Sequence, residues 1–149
     1  MFLFRRRRPR AVELPWVKVA YDAGFPVEVR GESFHEPMLR ALAEQAGAEI
    51  DGEQLRATFP VALRREPENE YDVNAVAVRS MSGEPLGHLA REVAGEYSVA
   101  LAGAQQSVQV CCDAQAYGRP HGREWNIGIW LALPDAEELA ELLAEAPRA

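Results

Sequence analysis

Residues 65–76 read Arg65-Glu66-Pro67-Glu68-Asn69-Glu70-Tyr71-Asp72-Val73-Asn74-Ala75-Val76. Asn and Asp side chains can bond to their own nearby backbone, so this stretch predicts a tight turn. Apolar and polar residues alternate on both sides of it, which is typical of half-buried strands. The alternation therefore predicts two β-strands, at residues 55–66 and 73–79, with the turn between them.

The rest of the chain continues this pattern of short strands. Further strands are predicted at residues 16–20, 26–30, 84–89, 108–117 and 125–133, with Ser82-Gly83 as a hairpin turn and residues 118–122 as a flexible polar loop. Helical spacing predicts one helix with Ser33 as its N-cap that ends near Gly47, a second at residues 91–101, and a third opened by Pro134 and Asp135. Many short strands with two or three helices favour a β-rich barrel or an α+β domain.

Charge divides the chain into three parts. Residues 1–14 are predicted to form a disordered basic arm, residues 15–134 a β-rich domain, and residues 135–149 an acidic amphipathic helix. The net charge is -7. Residues 1–10 hold five of the 16 basic residues and no acid, which leaves 11 basic against 23 acidic residues. Broad phosphate binding needs many cations, so any nucleic-acid site must be small and local.

Other function classes lack their sequence signals. There is no phosphate-binding glycine loop and no nucleophile elbow, and the three histidines lack the spacing of zinc ligands, so we expect a non-enzyme without cofactor or metal. No apolar run approaches the roughly 20 residues of a membrane span. Cys111 and Cys112 are neighbours, and a disulfide between them would be strained, which favours a cytoplasmic protein.

The 65–76 stretch, with Gly83, Leu86-Gly87-His88-Leu89 and Arg91 after it, closely resembles the HIRAN domain family. The resemblance extends over about residues 26–133. It implies a small OB-like barrel of about six strands with short helices. It also implies binding of single-stranded DNA at a free 3′ end, in DNA repair or replication stress.

The same resemblance implies a role for each of five residues. Tyr71 would stack on the terminal base, and Asp72 would accept a hydrogen bond from the 3′-hydroxyl. Asn69 would bond to the nucleotide, Arg91 would meet a phosphate, and Phe34 stands where the family places a second stacking aromatic.

Several residues depart from the family pattern. Ser33 stands where better-known members have an arginine, and His35 replaces an aromatic residue. Glu68 and Glu70 replace Asn and Pro, and their charges would weaken DNA binding through repulsion.

Structural alternatives exist for the site residues. Tyr71 would then be a core aromatic that fixes the turn, and Asp72 and Asn74 would cap its backbone. For the whole chain, the alternatives are a protein-interaction module and an accessory module for a helicase or nuclease on a separate chain, with DNA binding lost.

Overall fold

The structure, a computed structural model, describes residues 13–51, 54–121 and 124–146, and the side chains of residues 33, 34, 50, 51, 121 and 124 lie outside this description. Eight strands occur in these ranges: β1 (Trp16–Lys18), β2 (Val27–Arg30), β3 (Glu49–Asp51), β4 (Gln54–Arg65), β5 (Val76–Ser80), β6 (Pro85–Leu89), β7 (Gln109–His121) and β8 (Glu124–Leu131). The helices are α1 (Glu36–Gln45), α2 (Arg91–Ala102) and α3 (Ala136–Glu145), with a 3₁₀ helix at Glu32–His35.

Six of these strands close into an antiparallel barrel. The order around it is β4-β5-β6-β2-β8-β7, and β7 pairs again with β4 to complete the circle. The two short strands extend it, β1 by parallel pairing with β7 and β3 by antiparallel pairing with β4. The predicted small barrel of about six strands with short helices is therefore confirmed.

The long strand β4 shows why this sequence forms a barrel. Every second residue from Leu55 to Leu63 is buried, and the residues between them point outward. Because side chains alternate between the faces of a strand, this pattern puts one apolar row into the core. Strands β7 and β8 supply facing rows that include Val110, Ala114 and Ile129.

Two helices cover one part of the barrel and pack on each other. Helix α2 buries Tyr97 and Leu101, and the Tyr97 hydroxyl donates to the Pro134 carbonyl oxygen at 2.8 Å. Asp135 caps α3 by accepting from the Glu138 backbone N–H at 2.9 Å, as its position before the helix predicted. Leu139 and Leu143 of α3 are buried against the rest of the domain, whereas Leu142 is exposed.

Three local predictions were wrong. Ser33 is not a helix N-cap, because a 3₁₀ helix begins at Glu32 and α1 starts only at Glu36, with His35 as its N-cap. The strand predicted from Val73 begins at Val76, since the turn continues until the Ala75 N–H bonds to the Asp72 carbonyl oxygen.

The flexible loop predicted at residues 118–122 is also wrong for its described part. Residues 118–121 belong to β7, and Gly118 and Pro120 face Ile127 and Trp125 of β8. Glycine and proline usually interrupt strands, but continuous cross-strand pairing keeps this segment extended. The short strand β3 was not predicted at all.

Both cysteines are free thiols and buried, so the expectation that they form no disulfide is confirmed. Burial raises the pKa of each thiol. Within the described ranges, no helix has the length and apolar character needed to cross a membrane.

Candidate functional site

The turn between β4 and β5 is organised by Asn69. Its side-chain oxygen Oδ1 accepts hydrogen bonds from the backbone N–H of Tyr71 at 2.9 Å and of Asp72 at 3.1 Å. The backbone N–H of Asn69 donates to the Glu66 carbonyl oxygen at 3.0 Å. One side chain thus satisfies two backbone donors and fixes the conformation of the residues that follow it.

Asp72 extends the turn and keeps one oxygen outside it. Its Oδ1 accepts from the Asn74 N–H at 2.9 Å, so the capping alternative predicted for Asp72 is observed. Asn74 participates here as a backbone donor. The second carboxylate oxygen, Oδ2, lies 3.9 Å from Nε of Arg91. One Asp72 oxygen is therefore committed to the backbone, and the other faces the start of α2.

Tyr71 stands at the tip of this turn, and 83% of its surface is exposed. The alternative that made it a core aromatic is therefore wrong. Arg91 holds the residue through the backbone, since its Nη2 donates to the Tyr71 carbonyl oxygen at 3.0 Å. The Tyr71 ring is thus exposed to solvent, while the backbone N–H of Tyr71 is bonded to Asn69 and its carbonyl oxygen to Arg91.

Arg91 is the first residue of α2, as the sequence indicated. A cation at a helix N-terminus is disfavoured by the helix dipole. The Asp72 carboxylate and the Tyr71 carbonyl oxygen offset this cost by offering negative partners. The Arg91 side chain nevertheless remains 77% exposed, so most of its donors are accessible.

Beneath the turn lies Glu66, which the sequence analysis did not identify as important. Its Oε1 lies 2.6 Å from Nε2 of His88 and 3.4 Å from Nδ2 of Asn69, and its Oε2 lies 3.3 Å from Nη2 of Arg79. Only 17% of the Glu66 side chain is exposed. The carboxylate therefore links the turn to β5 and β6.

The pKa of Glu66 follows from this environment. Burial by itself raises the pKa of the carboxyl group. Hydrogen bonds from His88 and Asn69, and the charges of His88 and Arg79, act in the opposite direction and outweigh burial. The net result is a lowered pKa, so Glu66 is held in its ionised form.

Arg65, the first residue of the quoted stretch, has a structural role. Its Nε donates to the Ser98 hydroxyl oxygen at 3.0 Å, and its backbone N–H donates to Gln105 Oε1 at 3.0 Å. Gln105 in turn donates to the Leu63 carbonyl oxygen at 2.8 Å. These bonds attach the end of β4 to α2 and its C-terminal turn, and so set the position of the Tyr71 turn relative to Arg91.

The structure brings together four of the five residues named from the sequence: Asn69, Tyr71, Asp72 and Arg91. Phe34 lies in the 3₁₀ helix, which packs against β6 and β8, but its side chain and that of Ser33 lie outside the described part. Glu68 and Glu70 are exposed on the turn. No group of acidic, histidine or cysteine side chains suited to a metal ion occurs in the ranges described.

The chain is thus a closed six-stranded barrel whose β4–β5 turn carries an exposed aromatic ring and a carboxylate beside the guanidinium at the start of α2. The model of the HIRAN domain matches residues 42–125, more than half of the chain. The chain belongs to the HIRAN domain family. This membership supports, at the level of the family, a nucleic-acid-binding module, and HIRAN is a binding domain rather than a catalytic one.

Two curated relatives match a short part of the chain. The "Helicase-like transcription factor" of Mus musculus is 53% identical over 34 residues, which is 23% of this chain and 3% of that protein. The Homo sapiens protein of the same name is 51% identical over 35 residues, which is 24% of this chain and 4% of that protein. The chain thus spans only a small fraction of both relatives.

Two solved structures are also similar. One is a protein from Lactobacillus plantarum, 22% identical, covering 75% of this chain and 95% of its own, with a TM-score of 0.38. The other is the HIRAN domain of human HLTF, 20% identical, covering 62% of this chain and 84% of its own, with a TM-score of 0.32.

Proposed function

We propose that this chain binds single-stranded DNA at a free 3′ end through the Tyr71 turn. The observation that carries the proposal is the exposed Tyr71 ring, held on a hydrogen-bonded turn beside Asp72 and Arg91. Stacking of a base on an aromatic ring contributes roughly 1–3 kcal/mol and tolerates any base. The ring therefore supplies affinity without requiring a particular sequence.

Asp72 supplies selectivity for an end. Its Oδ1 accepts from the Asn74 N–H, whereas Oδ2 has only the 3.9 Å contact with Nε of Arg91 at the start of α2. A carboxylate oxygen accepts a hydrogen bond from a terminal hydroxyl but repels the phosphate of a strand that continues. The same residue thus favours a terminal nucleotide over an internal one.

Arg91 would contact the phosphate that precedes the terminal nucleotide. Its contact with Asp72, at 3.9 Å, is long, and the side chain is mostly exposed, so its remaining donors can reach a ligand. Asn69 would act mainly through the turn, because its Oδ1 already accepts two backbone bonds. Any direct bond from Asn69 to the nucleotide would come from Nδ2, and Phe34 remains the proposed second stacking residue.

The charge of the turn sets the expected strength. Glu68 and Glu70 are exposed on the same turn and would repel the DNA backbone, while Arg91 is the cation that this proposal assigns to a phosphate. Binding to single strands loses about 0.7 units of log affinity per tenfold rise in salt for each phosphate neutralised. We therefore expect weak binding with a shallow salt dependence, near that of one contact.

The test is fluorescence anisotropy with a short labelled oligonucleotide that ends in either a 3′-hydroxyl or a 3′-phosphate. The hydroxyl end should bind more tightly, and Tyr71→Ala should weaken binding at least fivefold, while Tyr71→Phe keeps the stacking ring and most of the affinity. Asp72→Asn keeps the turn acceptor and removes the charge, so it should reduce the difference between the two ends.

Two outcomes would refute this proposal. If neither oligonucleotide binds at low salt, the chain is not a DNA-binding module of this kind. If both ends bind equally, the role of Asp72 is wrong even though DNA binding stands. Glu137→Gln, an exposed change in α3, serves as the control that removes a negative charge far from the turn in sequence.

The partner would be a helicase or nuclease carried on a separate chain. Support comes from the word "helicase-like" in the names of the two relatives, of which this chain spans 3% and 4%. The acidic C-terminal helix offers one exposed leucine for such a contact, Leu142, because Leu139 and Leu143 are buried.

A further inference from the structure

A second surface of the barrel has features that the Tyr71 turn does not explain. An open groove of about 530 Å³ runs along the outer side of β7 and β8 and reaches β2 and the 3₁₀ helix. We call it the Trp130 groove and define it by Trp130, Tyr117, Gly128, Glu28, Glu32 and Arg119, which all line it. Its Tyr117 end lies far from the turn, because Arg56, the partner of Tyr117 on β4, is about 30 Å along that strand from Arg65. Its Glu32 end belongs to the same 3₁₀ helix as Phe34.

The aromatic wall of the groove depends on a glycine. Gly128 lies between outward-facing positions on β8, and a Cβ atom there would come within 3.0 Å of the Trp130 ring. Because glycine has no Cβ, the Trp130 indole can lie over β8 at Gly128. Tyr117 is the cross-strand partner of Gly128 and contacts Trp130 edge to face, with ring centroids 5.7 Å apart and planes at 72°. The two rings form a continuous aromatic surface.

The end of the groove nearest Trp130 is acidic. Glu28 is the cross-strand partner of Trp130, and it already contacts Arg30 at 3.5 Å. Glu32 has one carboxylate oxygen, Oε2, that is buried with no hydrogen-bond partner in the described structure. Its other oxygen lies 3.7 Å from the position a Cβ on Gly128 would take. Because Oε2 is closed to solvent, a ligand in the groove would donate to the other oxygen, Oε1, and by balancing the charge would reduce the cost of burying the carboxylate.

The same face shows which kind of donor suits it. The guanidinium carbon of Arg56 lies 5.2 Å from the centre of the Tyr117 ring. Cations bind tryptophan faces more strongly than tyrosine faces, and a planar guanidinium can stack on a ring while it donates to a carboxylate. We propose that the Trp130 groove binds an arginine side chain of a partner polypeptide, stacked on Trp130 with its donors toward Glu32.

Charge supports this occupant over a nucleic acid. The chain has a net charge of -7, and the groove places two carboxylates beside the indole, which repels phosphates and attracts a cation. Arg119 also lines the groove, but it follows the partner of Trp130 on β7, Gln115, by four residues, or about 13 Å. Arg119 thus lies toward the end of the groove away from Trp130, where it opposes a bound cation less than it would beside the indole.

The pKa of Glu32 is consistent with such a site. Burial raises the pKa of this carboxyl group, with a smaller contribution from the negative charge of Glu28, while its own backbone N–H and Arg30 act to lower it. An adjacent guanidinium would lower the pKa again by favouring the ionised form. Binding should therefore weaken as the solution becomes acidic enough to protonate Glu32.

The experiment is a calorimetric and NMR titration of the full chain with a capped glycine pentapeptide that carries one central arginine. Matched peptides carry citrulline, which has the same shape without the charge, or lysine. We expect the arginine peptide to bind at least tenfold more tightly than the citrulline peptide and to shift the Trp130 indole N–H resonance. Trp130→Leu and Glu32→Gln should each weaken binding about tenfold, while Trp130→Phe keeps part of it.

Controls separate this site from the others. Tyr71→Ala and the exposed Glu137→Gln should leave peptide binding unchanged. Equal binding of arginine and citrulline peptides would overturn the proposal. So would displacement of the peptide from Trp130 by a guanine nucleotide, which offers similar donors. Tighter peptide binding after Arg5–Arg8 and Arg10 are changed to Ser would show that the chain's own arginines compete for the groove, and would overturn the assignment to a partner.

Discussion

Gly87 occupies the most demanding glycine position in the described barrel, and its replacement by alanine should be severe. Its φ is 153°, a value that residues with a side chain rarely adopt. A Cβ atom at this position would lie 2.5 Å from the Arg30 carbonyl oxygen and 2.7 Å from Cγ1 of Val29, both on the neighbouring strand β2. Backbone atoms of a paired strand cannot move aside without breaking the ladder.

Two contributions determine the expected size of the effect. Backbone strain of this kind costs about 1–3 kcal/mol, and overpacking of a filled core costs about 1–3 kcal/mol. The free energy of unfolding should therefore fall by about 2–6 kcal/mol, a large part of the 5–15 kcal/mol typical of a domain. At about 2–4 °C per kcal/mol for a chain of this size, a mid-range loss of about 4 kcal/mol lowers Tm by about 8–16 °C.

The assay is urea and thermal unfolding followed by circular dichroism, with Gly95→Ala as the matched control. Gly95 lies inside α2, and a Cβ there would meet no atom within 4 Å. Alanine should therefore stabilise the helix by about 0.5–1 kcal/mol. If Gly87→Ala is as stable as the unchanged chain, the close approach of β6 to β2 is not as described, and the reasoning fails.

Three further predictions concern the turn and the core. Asn69→Ala should lower the free energy of unfolding by about 1–2 kcal/mol, as loss of a capping side chain does, whereas Asn69→Ser keeps an oxygen that can accept from the turn backbone, and with it part of the stability. Urea unfolding distinguishes the two variants, and equal loss in both would contradict the role of the side-chain acceptor. The pKa of Glu66 in the folded chain lies below its unfolded value near 4.3, so its contribution to stability is present above that pH and is lost as the pH falls through the folded pKa. Glu66→Gln should therefore flatten the pH dependence of the urea midpoint below about pH 4. An unchanged slope would refute this role of Glu66. Cys111 and Cys112 should react slowly with a disulfide-exchange reagent at neutral pH in the folded chain, because both are buried and their pKa values are raised. Both should react in denaturant. Rapid labelling of the folded chain would contradict their burial.

Local chemistry explains what the sequence could predict. The turn after Pro67 and the alternation in β4 are encoded by residues that are close in the chain, and both were found. The family signature also placed Asn69, Tyr71, Asp72 and Arg91 at one site, although Arg91 is 20 residues from Tyr71. Resemblance to a family can indicate that residues far apart in the chain lie at one site, whereas hydrophobic periodicity indicates only local structure.

The remaining features depend on contacts between distant residues. Glu66 is central only because Arg79 and His88, 13 and 22 residues later, come from two other strands. The exposure of Tyr71 depends on how the whole turn stands on the barrel, so the sequence left the core alternative open. Gly118 and Pro120 predicted a loop because both residue types are rare inside strands, and nothing in the local sequence indicates that they pair with β8.

The fixed backbone around Tyr71 has a thermodynamic consequence for binding. Ordering a flexible residue costs about 1–2 kcal/mol of backbone entropy, and for residues 69–72 that cost is met when the barrel folds. The bonds from Asn69 and Arg91 hold the turn before any ligand arrives, so only the two torsions of the ring remain to be restricted. Loosening the turn should therefore weaken binding through a less favourable entropy, even where no atom in contact with the ligand has been changed.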